Sequence, residues 1–180
     1  MNRKEFLKTV TATIGTAIIL PFAPNNGLFA RIPQAPPKIR VKRNGEGKRI
    51  NVLGDRMTYK LTGKDTGGKY CLIEQHNEPG VGIPLHVHER EDEVFRVLEG
   101  QIELSAGNET YRLKAGDMAF CPKNIPHTWR IVGDQMARVD LSFFPAGLEL
   151  TFDELALLPP GPPDPQLLDE ICSRYGLRFI

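Results

Sequence analysis

Hydrophobic residues between positions 49 and 144 recur in short runs that are separated by turn residues. Val, Ile, Leu, Phe and Tyr fill the runs, and turns such as Gly67-Gly68 and Gly133-Asp134 interrupt them. Strand-length runs at intervals of roughly 8–12 residues are typical of β-sandwiches and β-barrels. No helix-length segment with a 3.6-residue period interrupts the series, which argues against a parallel α/β sheet. The pattern therefore predicts an all-β domain over residues 49–145.

The pattern changes after Pro145. Residues 149–158 are apolar enough for a short helix, and a proline-rich break follows at residues 159–165. Asp164 can cap a final helix over residues 165–175, because an aspartate side chain accepts hydrogen bonds from the first free N–H groups. We therefore predict that residues 146–180 form a helical tail that packs on the β domain.

The first thirty residues have the layout of an export signal. Arg3, Lys4 and Lys8 come before or at the start of an apolar stretch, Thr9–Phe22. That stretch is shorter than the about 20 residues that a stable membrane-spanning helix needs. Arg3-Lys4 is also similar to a twin-arginine signal, with lysine in the second position. The expectation is an exported, periplasmic protein without a stable membrane span in the mature chain; an amphipathic helix or a retained anchor is the alternative.

Composition excludes several classes of protein. The chain has 180 residues, enough for one well-packed domain, and residues 31–48, rich in Pro, Gly and Lys, are predicted to be a linker. A net charge of +1 gives no electrostatic basis for binding nucleic acid. Three widely spaced cysteines without a CxxC motif indicate neither a thiolate metal site nor a disulfide framework, and Cys71 and Cys121 are expected to be buried apolar residues. The predicted partner is a small-molecule substrate.

Three of the four histidines occur in positions where a β-domain could bring them together. His86 and His88 are two residues apart, so they project from the same face of a strand. Glu93 opens the next apolar run, where odd-numbered positions share a face. His127 begins a later run. A single histidine is usually a surface or hydrogen-bonded core residue, but the set together predicts a metal site.

Other residues compete for these roles. Glu89, Glu91 and Asp92 are alternative carboxylates. Glu93 is preferred because it begins the predicted strand and lies on the face of that strand that is expected to point into the barrel. His76, the fourth histidine, lies in a polar segment that is interpreted as a solvent-facing turn.

Two spacings in this region resemble the motifs of the cupin superfamily. In the first motif, Gly, His-x-His, Glu and Gly all match: Gly80, His86, His88, Glu93 and Gly100. In the second, Gly116, Pro122 and His127 match, whereas Asn124 replaces a glycine and Ile131 replaces an asparagine. Asparagine tolerates a positive φ better than most residues, so the turn at Asn124 is expected to form.

The resemblance implies a fold and a ligand set. The expected fold is a small antiparallel β-barrel, a double-stranded β-helix or jelly roll, with short C-terminal helices, and the expected assembly is a homodimer. The metal ligands would be His86, His88, Glu93 and His127. Three imidazoles and one carboxylate suit one divalent transition metal (Fe, Mn, Ni, Cu or Zn) rather than Ca or Mg, which prefer oxygen ligands.

Residues 84–100 and 163–176 are most similar to bacterial cupins of the quercetin 2,3-dioxygenase-like group. This resemblance implies a metal-dependent dioxygenase acting on a small oxygenated or aromatic compound, in which Glu93 alternates between metal ligand and general base. Phe95, Phe120 and Trp129 are candidate walls of the substrate pocket. A lyase or isomerase that uses the same ion, and a non-catalytic binding protein, are the alternatives.

Overall fold

The computed structural model describes residues 38–159 and 161–180. Strands dominate this part of the chain: β1 (Lys48–Val52), β2 (Asp55–Leu61), β3 (Cys71–Asn77), β4 (Gly82–His88), β5 (Asp92–Glu99), β6 (Gln101–Ala106), β7 (Glu109–Lys114), β8 (Met118–Cys121), β9 (His127–Val132), β10 (Ala137–Phe144) and β11 (Leu177–Phe179). The helices are short: α1 (Gly63–Thr66), α2 (Glu149–Leu155) and α3 (Pro165–Arg174).

The strands form two antiparallel sheets. One sheet has the order β1-β2-β3-β10-β5-β8, and the other has the order β11-β4-β9-β6-β7. Core side chains come from both sheets, so the sheets enclose one apolar interior. The prediction of an all-β, antiparallel barrel of the double-stranded β-helix type is confirmed.

Alternation along the strands decides which side chains face this interior. On β5, Glu93, Phe95 and Val97 are at most 2% exposed, as their shared parity predicted. On β9, His127 and Trp129 are buried in the same way. Because side chains two residues apart project from the same face of a strand, these polar and apolar groups point into one interior.

The C-terminal helices are confirmed, and one strand was missed. Helix α3 begins at Pro165, where the Asp164 carboxylate accepts the backbone N–H of Gln166. The chain then adds β11, which pairs with β4 and places Leu177 opposite His88. A three-residue strand is too short to show a period of two, so the sequence pattern alone does not reveal it.

The interpretation of residues 75–78 as a polar turn was wrong. Strand β3 continues to Asn77, and Gln75 and Asn77 are both fully buried, whereas His76 is exposed as expected. Polar side chains on the inward face of a strand are unusual unless they are hydrogen-bonded, and both of these bond to Asp55 at the start of β2.

Some predictions concern residues that the structure does not describe. The export signal at residues 1–30 and the linker residues 31–37 lie outside the described residues and stay predictions. Among the helices at residues 38–159 and 161–180, none is both long and apolar enough to cross a lipid bilayer. The three cysteines are buried free thiols, which agrees with the expectation for Cys71 and Cys121.

Candidate metal centre

Two neighbouring strands of one sheet and one strand of the facing sheet carry the four candidate ligands. Strand β4 carries His86 and His88, and it lies between β9 and β11. His127 is the first residue of β9 and pairs directly with His86. Glu93 projects from β5 in the other sheet, and all four side chains are at most 4% exposed. Closure of the two sheets therefore brings together residues that are up to 41 positions apart in sequence.

The ligand atoms converge on one point. One nitrogen or oxygen from each of the four side chains lies within 4.8 Å of the others. The Nε2 atoms of His86 and His88 are 3.2 Å apart. Oε2 of Glu93 lies 3.0 Å from Nε2 of His127 and 3.2 Å from Nε2 of His88. The structure thus brings together His86, His88, Glu93 and His127, the set that the spacing predicted.

Backbone hydrogen bonds determine which imidazole nitrogen faces this point. Nδ1–H of His86 donates to the carbonyl of Pro84 at 2.9 Å, and Nδ1–H of His127 donates to the carbonyl of Ile125 at 3.0 Å. In the neutral ring the other nitrogen, Nε2, then carries a lone pair. In its neutral form, the His86 ring therefore directs a lone pair toward His88, and the His127 ring directs one toward Glu93; a protonated His127 donates to Glu93 instead.

This donor set fits a cation. Nε2 lone pairs and a carboxylate oxygen at about 3 Å repel one another unless a proton or a metal ion lies between them. Nδ1 of His88 has no hydrogen-bond partner among the described residues, so its ring is less firmly oriented than the other two. Three imidazoles and one carboxylate in a buried cluster are ligands for a transition metal; the identity of the metal does not follow from the ligand atoms.

Burial and mutual contact shift the ionisation of these groups. Burial is the main cause that lowers the pKa of His86 to about 4, and the imidazoles of His88 and His127 lower it further. For Glu93, burial acts against ionisation, but hydrogen bonds with His127 and His88 outweigh it and lower the pKa to about 2. Burial likewise acts to lower the pKa of His127, but Glu93 outweighs it and raises that pKa. A neutral imidazole and an ionised carboxylate are the forms that bind metals.

The second motif supports the ligand cluster through its turn. Asn124 has φ of 65°, as expected for the residue that replaces the motif glycine. Its backbone N–H donates to the carbonyl of His88 at 2.7 Å. The turn before β9 is thereby tied to the strand that carries two of the ligands.

A small cavity of about 40 Å³ adjoins the ligands. Its apolar lining includes Ile83, Trp129, Leu141 and Phe143. That volume has room for only a few water-sized groups, so a bulky ligand would require the walls to move.

The three predicted pocket aromatics have different positions. Trp129 lines the cavity, whereas Phe95 lies in the core with its ring centre 6.1 Å from those of His127 and Trp129. Phe120 is 59% exposed and does not line the cavity. The reason is parity, because Cys121 pairs with Glu93 on the inward face of the sheet and Phe120 therefore projects outward.

The competing carboxylates do not join the cluster. Glu89 is exposed and pairs with Arg178, and Asp92 accepts the backbone N–H of Lys123. Glu91 is only 3% exposed but lies outside the ligand group, and burial raises its pKa. Asp55 and Gln75, by contrast, line the cavity, and the sequence analysis did not single them out. Their positions in sequence, far from either motif, gave no signal.

Comparisons with known proteins agree with this fold. Residues 73–144 match the cupin domain family. Quercetin 2,3-dioxygenase of Bacillus subtilis is 35% identical over 89 residues, which cover 49% of this chain and 26% of that protein. The chain covers between 26% and 63% of the lengths of three curated relatives that it matches.

Two solved structures share the fold at low sequence identity. KdgF from a Halomonas species has a TM-score of 0.54 and 21% identity, over 63% of this chain and 99% of that one. A predicted oxalate decarboxylase from Thermotoga maritima has a TM-score of 0.54 and 22% identity, over 59% of this chain and 99% of that one. The family match, the two motifs and the convergent ligands lead to one conclusion: residues 73–144 of this chain form a cupin domain.

Proposed function

We propose that the protein is a metal-dependent dioxygenase that acts on a small oxygenated or aromatic compound. The observation that carries this proposal is the convergence of three imidazole nitrogens and one carboxylate oxygen within 4.8 Å of one another. The similarity to quercetin 2,3-dioxygenase over 89 residues supports the reaction class. Four protein ligands leave two positions of a six-coordinate ion for other molecules, which an enzyme needs and a purely structural site does not.

A bound Fe, Mn, Ni or Cu ion would supply Lewis acidity and a route for electrons between an organic substrate and O₂. The chain itself supplies orientation, because the backbone carbonyls of Pro84 and Ile125 fix the rings of His86 and His127. It also excludes water, since the ligands are almost fully buried. The exclusion of water strengthens the charge interactions within the site.

Glu93 is the candidate proton acceptor of the site. It is the single carboxylate among the four converging side chains, and Oε2 lies about 3 Å from two imidazole nitrogens. A substrate hydroxyl that enters the cavity comes within reach of this group, because Glu93 lines the cavity. Deprotonation of that hydroxyl would make the substrate a better electron donor.

Oxygen consumption tests this proposal. Protein loaded with Fe, Mn, Ni or Cu is expected to consume O₂ with at least one member of a flavonol and phenol panel. Glu93→Gln is expected to lower the rate by about 100-fold, within the range of a lost proton-transfer group. Glu99→Gln is the matched control, because that exposed residue lies on the same strand and outside the cavity. No O₂ uptake with any of the four metals would defeat the proposal.

The small cavity gives some support to a second candidate. A volume of about 40 Å³ suits a substrate smaller than a flavonol. A metal-dependent lyase or isomerase acting on such a substrate would use the ion only as a Lewis acid, and it would turn over without O₂. A binding protein would instead hold Zn firmly and be stabilised by its ligand without turnover. Anaerobic assays of the loaded protein separate these alternatives from a dioxygenase.

We also propose a homodimer. Strand β8 is at the end of its sheet among the described strands, and its outward residues Met118 and Phe120 are 63% and 59% exposed. An apolar edge strand of this kind is protected when a second copy covers it. Light scattering of the purified protein is expected to give twice the mass of the chain, and Phe120→Lys is expected to give the single-chain mass. A monomer in both cases would contradict the proposal.

A further inference from the structure

A second polar group lines the cavity of the metal centre. Asp55 at the start of β2 and Gln75 on β3 line the same cavity as His86, His88 and Glu93. Neither is among the converging ligands. Besides the candidate ligands, the cavity therefore has polar side chains from two further strands.

The hydrogen bonds of this group fix its side-chain amides. The backbone N–H of Arg56 donates to Oδ1 of Asn77 at 2.8 Å, so the Nδ2 of Asn77 faces Asp55 and donates to it. The Nε2 of Gln75 donates to the other carboxylate oxygen of Asp55. This arrangement leaves Oε1 of Gln75 without a hydrogen-bond partner among the described residues, although Gln75 is fully buried.

Folding stability does not explain this choice of residues. A buried acceptor without a donor is unfavourable, and so is a carboxylate that is partly buried without a cation, as Asp55 is. Burial raises the pKa of Asp55 from 3.8 to about 6, against the hydrogen bonds from Asn77 and Gln75. The ionisable groups that share its cavity are His86, His88 and Glu93. Arg56, its neighbour in sequence, is half-exposed and pairs with Glu78.

Asparagine at position 55 would suit the fold better. Its amide could donate to Oε1 of Gln75 once the Gln75 amide rotates. Nε2 of Gln75 would then lack a partner in place of Oε1, but no charge would lie in the cavity. A carboxylate at this position is therefore more readily explained by a ligand that donates a hydrogen bond to it.

We propose that Asp55 and Gln75 bind a hydroxyl group of the substrate, while another oxygen of the same molecule lies at the metal ligands. This inference rests on the proposed function and names its substrate class: a small molecule with an apolar skeleton, a metal-binding oxygen and a separate hydroxyl. The walls formed by Met57, Leu141 and Phe143 suit the apolar skeleton. The unpartnered Oε1 of Gln75 and the Asp55 carboxylate are neighbouring acceptors, and either can take the proton of one O–H donor.

Matched pairs of carboxylates test the proposal in Ni-loaded protein without O₂, because a six-coordinate ion keeps positions for the probe that tetrahedral Zn would not. The probes are propionate with 3-hydroxypropionate and butyrate with 4-hydroxybutyrate, chosen to be small because the cavity is about 40 Å³. We expect the added hydroxyl to lower Kd by about 10-fold in at least one pair, as measured by calorimetry, in line with the energy of a hydrogen bond to a charged group. Asp55→Asn is expected to remove that gain while the Ni content stays unchanged.

Asp140→Asn is the matched control, because Asp140 is a partly buried aspartate on β10 that does not line the cavity. It is expected to keep the gain from the hydroxyl. The proposal is overturned if Asp55→Asn keeps the gain, if both variants lose it, or if no hydroxylated probe binds the wild-type protein more tightly than its partner. Failure of the proposed function is seen separately, as a lack of Ni binding or of O₂ uptake by the wild-type protein.

Stability gives a readout that does not depend on any probe. Because the folded pKa of Asp55 is raised, its carboxyl stabilises the fold below about pH 3.8 and that contribution is lost as the pH rises through about 6. Asp55→Asn is therefore expected to unfold at a higher urea concentration than wild type at pH 7, with the difference shrinking toward pH 4. A variant less stable than wild type at pH 7 would mean that Asp55 serves the fold, and would overturn the proposal.

Discussion

His127→Ala is expected to lower the affinity for a divalent transition metal by about 100-fold or more, since loss of even an outer partner of a ligand costs about 10–100-fold. The imidazole is 1% exposed, and its Nε2 lies 3.0 Å from Oε2 of Glu93. Alanine leaves three ligands and no group that can move into the gap. Calorimetric titration with Zn²⁺, and the visible absorption of the Co²⁺ form, measure the loss.

His76→Ala is the matched control for this variant. His76 is the one histidine outside the cluster, and its side chain is exposed on β3. Removing it is expected to leave the affinity for Zn²⁺ unchanged. Equal losses in the two variants would show that the metal binds elsewhere, and would remove the basis for the proposed function.

Phe95→Ala is expected to lower the free energy of unfolding by about 3–5 kcal/mol, the usual range for truncating a buried phenylalanine. Phe95 is 0% exposed and contacts the interior from the centre of β5. Since a domain of this kind is stabilised by about 5–15 kcal/mol in total, the loss is a large part of its stability. Urea denaturation of metal-free protein, monitored by circular dichroism, measures it.

Phe120→Ala provides the comparison, because Phe120 has the same side chain but is 59% exposed on the adjacent strand β8. Its expected effect is within about 0.5 kcal/mol at protein concentrations low enough to keep both variants monomeric. If the two monomeric variants were equally destabilised, the inward parity of β5 and the outward position of Phe120 would both be incorrect.

The metal ligands could be predicted because each depends on a short-range rule. His86 and His88 share a face through the two-residue period of a strand, and Glu93 has the inward parity of the next strand. The motif glycines and Asn124 mark turns beside the strands β4, β5, β8 and β9. Together these rules require only that the barrel closes, which the alternating runs also predicted.

The rest of the site depends on pairing between distant strands, which no local pattern records. Gln75 is polar, so the sequence suggested a turn, yet its register opposite Met57 on β2 places it inside. Phe120 is aromatic, as residues of pocket walls often are, but its pairing with Val94 on β5 directs its side chain outward. The substrate is determined by such cavity residues, and for that reason the sequence predicts the metal site better than the substrate.

Strand β11 has a consequence for how the protein is made. It covers the free side of β4, with Leu177 beside His88 and Phe179 beside His86. During synthesis, His127 leaves the ribosome before the residues of β11 do. Until β11 is present, the backbone N–H and C=O groups along that edge of β4 have no strand to pair with. The strand that carries His86 and His88 therefore reaches its final pairing only after the C-terminal residues have been synthesised.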